Sequence, residues 1–223
     1  MNFISVNENR VSLSIIIINY NLSDEIRNCL ISFFDSLNFD SGIEFEFIIV
    51  DNNSPDKKLI KLESEFRDEN IHFYYLDQNL GFGKGCNFGA SKAKGKYLCF
   101  LNPDTIIKED IFSPILNFME KDPSVGIVGP KQQIWEPLFD FSAGYSPNLF
   151  FEFFNLFGAG VFVEGFLVRM LTRITSKDKL RMNWVLGAAI FICADLFNAI
   201  NGFDKDYFMF SEEVDLCKRV SER

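Results

Sequence analysis

Five carboxylates stand where they could act together. Asp51 and Asp104 each close an apolar run, and Glu212, Glu213 and Asp215 open a late helical pattern. Carboxylate oxygens suit a hard divalent cation, which commonly completes its shell with water and substrate phosphates. Asp104 could hold such an ion against a diphosphate, and Asp51 could accept hydrogen bonds from a base or ribose. Glu213 or Glu212 could take the proton of an attacking hydroxyl. Each carboxylate alone reads more simply as a helix cap or a solvated group. A shared position on one sheet edge is what raises the functional reading.

A second constellation is Gly81-Phe-Gly-Lys-Gly-Cys-Asn-Phe-Gly89. Its glycines permit close backbone approach to a ligand, and Asn79, Lys84 and Asn87 could add polar contacts. The stretch lacks the GxxxxGK[ST] spacing of a P-loop. It also follows the third strand rather than the first, where a dinucleotide fingerprint belongs. ATP hydrolysis and NAD-linked oxidoreduction are therefore weakly supported, and a tight strand–helix connection is the plainer reading. His72 is the only histidine and lies inside a strand pattern, so it reads as structural, with no Ser-His-Asp triad to join. The five cysteines are odd in number and none form CxxC, against a disulfide framework or a zinc site. Cys86, inside the glycine stretch, is the thiol to watch.

The elements that must position these residues alternate. Strands are expected at 11–19, 45–50, 71–76, 96–101 and 125–128. Helices are expected at 25–37, 56–68, 83–93 and 109–121, with Ser23 or Asp24 capping the first and Pro55 starting the second. The run VSLSIIIIN is apolar on both faces, as in a strand buried on both sides. The expected fold is α/β, Rossmann-like, with a mostly parallel central sheet flanked by helices. Ligands of such sheets sit beyond the carboxyl ends of the strands. Asn19, Tyr20, Asn21, Asp51, Asn79, Asn102 and Asp104 all fall there. The alternation stops near 130, dividing the chain into 11–130 and 131–223. The second part holds a Phe-rich stretch at 149–171, then a strand or strand pair at 184–193. A short helix to Ala199 follows, with Asp195 as its cap, and a last helix capped by Ser211. The end at Arg223, early in that helix, reads as a truncation.

Composition narrows the classes. With 223 residues, 48% hydrophobic and 24% charged, the chain is globular rather than disordered or fibrous. A formal net charge of −9 argues against nucleic-acid binding. The start, MNFISVNENRVS, has no signal-peptide apolar core, which points to a reduced, cytoplasmic protein. The 27 Phe, and the basic Arg169, Arg173, Lys177, Lys179 and Arg181 after the Phe-rich stretch, add an expectation of peripheral contact with the inner membrane face through 149–171.

The motifs together resemble glycosyltransferase family 2, with its GT-A nucleotide-sugar fold, nearest to bacterial rhamnosyltransferase-like enzymes of polysaccharide assembly. The segments are SIIIINYN (14–21), IVDNNSP (49–55), NLGFGKGCNFG (79–89), AKGKYLCFLNPDT (93–105), WVLGA (184–188) and GFDKDYFMFSEEVDLC (202–217). The resemblance implies a nucleotide-sugar-binding half at 11–130 and an acceptor-side half at 131–223. It implies that Asn19, Tyr20 and Asn21 border the nucleotide and that Asp51 contacts base or ribose. Asn79, Gly81, Lys84, Gly85 and Asn87 would line the donor pocket. Asn102-Pro103-Asp104 stands at the family's Asp-x-Asp, leaving Asp104 as the ligand for Mg2+ or Mn2+. Trp184 and Gly187 fall on the acceptor side. The family's usual Glu-Asp is Glu212-Glu213 here, so Glu213 takes the position of the catalytic base, with Glu212 and Asp215 as the other candidates. The reaction implied is an inverting transfer of a hexose or deoxyhexose, such as rhamnose, from a dTDP- or UDP-sugar to a saccharide or lipid-linked saccharide. The alternative is a nucleotide-sugar-binding or assembly module with weak turnover.

Overall fold

The computed structural model describes residues 13–36, 43–68, 70–132, 142–144 and 181–223. In chain order the elements are β1 (Leu13–Asn19), α1 (Ser23–Ser36), β2 (Phe45–Asp51), α2 (Leu59–Glu65), β3 (Ile71–Tyr75), α3 (Phe82–Ala90), β4 (Tyr97–Leu101) and α4 (Phe112–Lys121). Then come β5 (Ile127–Val128), β6 (Ala143–Gly144), β7 (Trp184–Val185), β8 (Ala189–Cys193), α5 (Ala194–Ala199) and α6 (Glu212–Ser221). Six strands form one sheet in the order β3-β2-β1-β4-β8-β5, and β6 and β7 form a separate pair. β1, β2, β3 and β4 are parallel, while β8 runs antiparallel to both β4 and β5.

Every residue of β1 is buried because both faces of the sheet are covered. Leu13, Ile15 and Ile17 enter one core with Phe33 of α1, Leu62 of α2 and Leu116 of α4. Ile16 and Ile18 enter the other with Cys86 of α3, Phe197 of α5 and Leu216 of α6. The parallel strands require crossover helices, and these supply both layers. α3 lies close on the sheet because a methyl group at Gly89 would stand 2.5 Å from Ile16 Cγ2. The glycine stretch thus serves helix-on-strand packing as well as the turn before it.

Several local expectations are corrected. β5 does not extend the parallel run; β8 inserts between it and β4, so the sheet draws strands from both sides of residue 130. A segment distant in sequence takes the place that a next-in-line strand would occupy, and local periodicity does not encode that pairing. Pro55 does not begin α2, which starts at Leu59 after a turn with Lys57 at φ 50°. Ser23 is the first helical residue of α1, and its buried hydroxyl has no partner. Asn19 takes the capping role instead, its Oδ1 accepting from Leu22 N–H at 3.0 Å. Asp195 lies inside the first turn of α5 rather than at its cap. Ser211 does occupy the N-cap position of α6, but its side chain makes no capping bond. The strand or strand pair expected at 184–193 is present as two separate strands, β7 pairing with β6 and β8 joining the central sheet. Residues 149–171, and the basic residues at 169, 173, 177 and 179, lie outside the described residues. Among the described residues no helix is long and apolar enough to cross a membrane.

Candidate active site

At the tips of β1 and β2, Asn19 is a buried hub. Its Nδ2 donates to Asp51 Oδ1 at 2.6 Å and to Ser54 Oγ at 2.9 Å. Asp51, 2% exposed, accepts a second bond from Ser54 N–H through Oδ2 at 3.1 Å. Both carboxylate oxygens are thus engaged within the protein, where the sequence reading turns them toward a base or ribose. The parallel register pairs Asn19 with Asp51, so the two side chains meet because the strands end together. Tyr20, next in the chain, is 45% exposed, and Asn21 is exposed with φ 60°.

The glycine turn is tied to this edge by Asn52, the residue after Asp51, to which the sequence analysis gave no role. Its Nδ2 donates to Asn79 Oδ1 at 2.8 Å and to Gly81 O at 3.1 Å, and its Oδ1 accepts from Leu80 N–H at 2.9 Å. Gly81 has φ 83°, and a methyl group on it would stand 2.3 Å from Phe208 O. The loop before α6 therefore rests on this turn, held also by Phe82 N–H donating to Phe208 O at 3.0 Å. Gly85 faces Ile18 of β1 in the packing layer. Asn87 spends its amide on Phe203, donating to its carbonyl at 2.8 Å and accepting from its N–H at 2.9 Å. Both residues hold α3 against its neighbours. Lys84 lies half-buried in the first turn of α3.

The β4 tip joins the same edge from the other side. Asn102 N–H donates to Ala188 O at 2.9 Å, in the turn between β7 and β8. A methyl group on Gly187 would stand 3.8 Å from Glu213 Cδ. A continuous run of contacts therefore leads from Asn52 through Gly81 and Phe208 along the chain to Glu213, then through Gly187 and Ala188 to Asn102. Asp104 is exposed on the loop after β4, and its charge reaches Cys29 of α1.

The candidate acids differ in environment. Glu213 is half-buried, whereas Glu212 is 6% exposed and its Oε2 has no hydrogen-bond partner. Burial first, then the neighbouring Glu213 charge, raise the Glu212 carboxyl above its ordinary range against the lowering effect of its own backbone N–H. Asp215 is paired with Arg219 Nε at 2.7 Å, and that guanidinium also donates to Ile200 O and Gly202 O at 3.0 and 2.8 Å. Asp215 thereby anchors the turn that carries Phe203. Burial pushes the Cys86 thiol well above its ordinary value, so it is no nucleophile. Cys29 is pushed up to about 12 by burial and by Asp104. His72 sits beside buried Glu46 at 3.6 Å, at the opposite end of β2, as a structural histidine. Among the described residues no three His, Cys, Asp or Glu gather as a metal cage. Asp104, with the Asn102 amide oxygen, offers only hard oxygen donors, which fits a cation whose shell is completed from outside the protein.

The family model for glycosyl transferase family 2 matches residues 14–165. The chain belongs to glycosyltransferase family 2. Among curated relatives of this family, rhamnosyltransferase WbbL of Escherichia coli (strain K12) is 26% identical over 93% of this chain and 76% of its own. Among solved structures, S. aureus TarS 1-349 aligns with a TM-score of 0.61 at 18% identity, covering 94% of this chain. The mannosyltransferase PcManGT from Pyrobaculum calidifontis, solved with GDP-Man and Mn2+, aligns with a TM-score of 0.56 at 16% identity over 88% of this chain. The chain spans about half of each of these two, 55% and 48% of their lengths. The family-2 members are glycosyltransferases, and the aligned structures share the GT-A fold anticipated for this sheet. Asn52 could have been found in advance only by knowing that the β2 tip and the 79–81 turn are neighbours.

Proposed function

We propose that this chain is an inverting, metal-assisted glycosyltransferase that moves a hexose or deoxyhexose, such as rhamnose, from a dTDP- or UDP-sugar to a saccharide or lipid-linked saccharide. One observation carries the reading. The glycine turn holds the loop whose chain runs on into Glu213, Glu213 lies against Gly187, and the next residue, Ala188, is bonded to Asn102 at the β4 tip, all at the carboxyl edge of the parallel strands. That is where open α/β sheets take their ligands.

In this reading Tyr20 and Asn21 border the nucleotide, and Asp51 acts through Asn19 to hold the strand tips beneath it. Asn79 and the Gly81 turn, fixed by Asn52, flank the diphosphate, with Lys84 as a nearby positive charge. Asp104 and Asn102 would hold Mg2+ or Mn2+. A bound cation neutralises charge on the departing diphosphate. Glu213 accepts the proton of the acceptor hydroxyl as that oxygen attacks the anomeric carbon, and the bond to the nucleoside diphosphate breaks on the opposite face. Glu212, buried with Oε2 lacking a hydrogen-bond partner, is the less accessible of the two carboxylates, so Glu213 is preferred as the base. A place at the inner face of the membrane would supply a lipid-linked acceptor.

The test is turnover of radiolabelled UDP- and dTDP-sugars with and without Mn2+, scored as release of nucleoside diphosphate. Cation-dependent release supports the reading. Tight donor binding without release, to water or to a saccharide, would favour the binding or assembly module instead.

A further inference from the structure

Phe208, Met209 and Phe210 are 60%, 58% and 75% exposed, three consecutive large apolar side chains turned to solvent. Exposed apolar side chains scattered singly are ordinary; a contiguous group beside a catalytic carboxylate is not. The backbone that presents them is unusual as well. Phe210 and Ser211 have φ 71° and 68°, the left-handed region that bulky residues rarely enter. Strain of this kind persists where surrounding structure imposes it, and it clusters at ligand clamps. Here the imposition is visible. Phe208 is fixed to the glycine turn by the Phe82 N–H bond and by the missing Cβ of Gly81. Four residues later the chain must enter α6 with Glu212 turned inward.

We propose that Phe208, Met209 and Phe210 form the platform on which a sugar ring of the acceptor stacks. The inference rests on the transferase reading above and names the acceptor subsite of that same site. Phe210 precedes Glu213 by three residues, a span of at most about 11 Å. A hydroxyl held at Glu213 therefore brings its own pyranose ring, or the next one, over the aromatic patch. Pyranose rings present C–H faces that pack on aromatic rings while their hydroxyls seek polar partners. Such partners rim the patch: Tyr207 is half-buried, and Lys205 and Asp206 are exposed. Asp204 turns back to accept from Asp206 N–H at 2.9 Å, which holds the rim in shape. The same surroundings disfavour an anionic lipid surface, because Asp204, Asp206 and Glu213 outnumber Lys205 there, Asp215 being offset by Arg219.

Saturation-transfer NMR with methyl β-D-glucoside, methyl α-L-rhamnoside and methyl N-acetyl-β-D-glucosaminide, in the presence of UDP and Mn2+, tests the platform. Wild-type protein should transfer saturation to ring C–H protons of at least one glycoside. F208A and F210A should each weaken it about fivefold or more, the scale of one lost aromatic contact. F210W should keep it, and I60A, an exposed apolar residue on α2, should leave it unchanged. No transfer to any glycoside, or equal transfer in F210A, overturns the proposal. So does F210A losing stability as a core truncation would, because the patch would then be covered by the chain itself. Loss of flotation with phosphatidylglycerol vesicles in F210A, with glycoside transfer intact, makes the patch a lipid contact and also overturns it. Turnover of nucleotide-sugar is read separately. Its absence sinks the transferase reading, whereas its persistence with unaltered glycoside transfer in F210A sinks only the platform.

Discussion

Glu212 and Glu213 are adjacent in sequence and opposed in environment: one is buried with an orphan oxygen, the other half-buried against Gly187. Glu213→Gln keeps the shape but cannot accept a proton. It should lower transfer by about 10²–10⁴-fold while donor binding, followed by calorimetry, stays intact. Full turnover in that variant would remove Glu213 as the base. Glu212 predicts a pH effect on stability instead. Its unfolded value is about 4.3, and burial raises the folded one. Below the unfolded value both states hold the proton, and the carboxyl's contribution is complete. As pH rises through the folded value the native state must bury a charge, and that contribution is lost. Glu212→Gln is neutral throughout. Its urea midpoint should match the wild type near pH 4 and exceed it at pH 8. Parallel midpoints across that range would show that Glu212 carries no burial penalty.

At the scale of elements, the glycine stretch shows how far sequence patterns reach. The strand–helix alternation from β1 to α4, the strand-end clustering of polar residues and the position of Glu213 opening α6 were all legible, because each follows from periodicity or local turn chemistry. The insertion of β8 beside β4, the Asn52 bonds to the 79–81 turn and the Asn87 pair with Phe203 were not. Each joins residues far apart in the chain, and no local pattern marks them. An amide in a glycine loop looks the same in sequence whether it meets a ligand or a distant backbone, so the Asn87–Phe203 bonds carry no local signal. Gly81 stands between the two cases: its left-handed φ and its contact with the Phe208 carbonyl together exclude a side chain. Gly81→Ala should cost about 1–3 kcal/mol in urea unfolding. It should also release the loop before α6, seen as faster proteolytic cleavage at Lys205. Unchanged cleavage would mean that the loop is held from elsewhere. Asp215→Asn should weaken the Arg219 pair that anchors the neighbouring turn and lower stability by about 1–3 kcal/mol. Its donor-binding affinity should match the wild type by calorimetry; a large loss there would give Asp215 a direct part in the site.

For the molecule as a whole, charge decides how a donor can bind. The chain carries a formal −9. The site edge adds Asp104 and Glu213 on the surface side and Asp51 beneath, with Lys84 as the nearby base in the glycine stretch. A nucleoside diphosphate sugar is itself an anion, so the field of the protein opposes it unless a counter-charge arrives with it. In the proposed reading that counter-charge would be a divalent cation, with Asp104 as its ligand at the β4 tip. Donor and cation should therefore stabilise the fold together and not separately. At a donor concentration about 100 times its dissociation constant the gain is about 2.7 kcal/mol. For a chain of this size that is a rise in melting temperature of about 5–10 °C. The rise should appear with UDP- or dTDP-sugar plus Mn2+ or Mg2+ and vanish with a chelator. Sodium chloride at the same ionic strength should not replace the divalent ion, because screening weakens repulsion but does not bridge two anions. Asp104→Asn should remove most of the rise without lowering the melting temperature of the unliganded protein, since Asp104 is exposed. A full rise in the presence of chelator would show that the diphosphate is held by backbone N–H groups and Lys84 alone, and the role of Asp104 would fall.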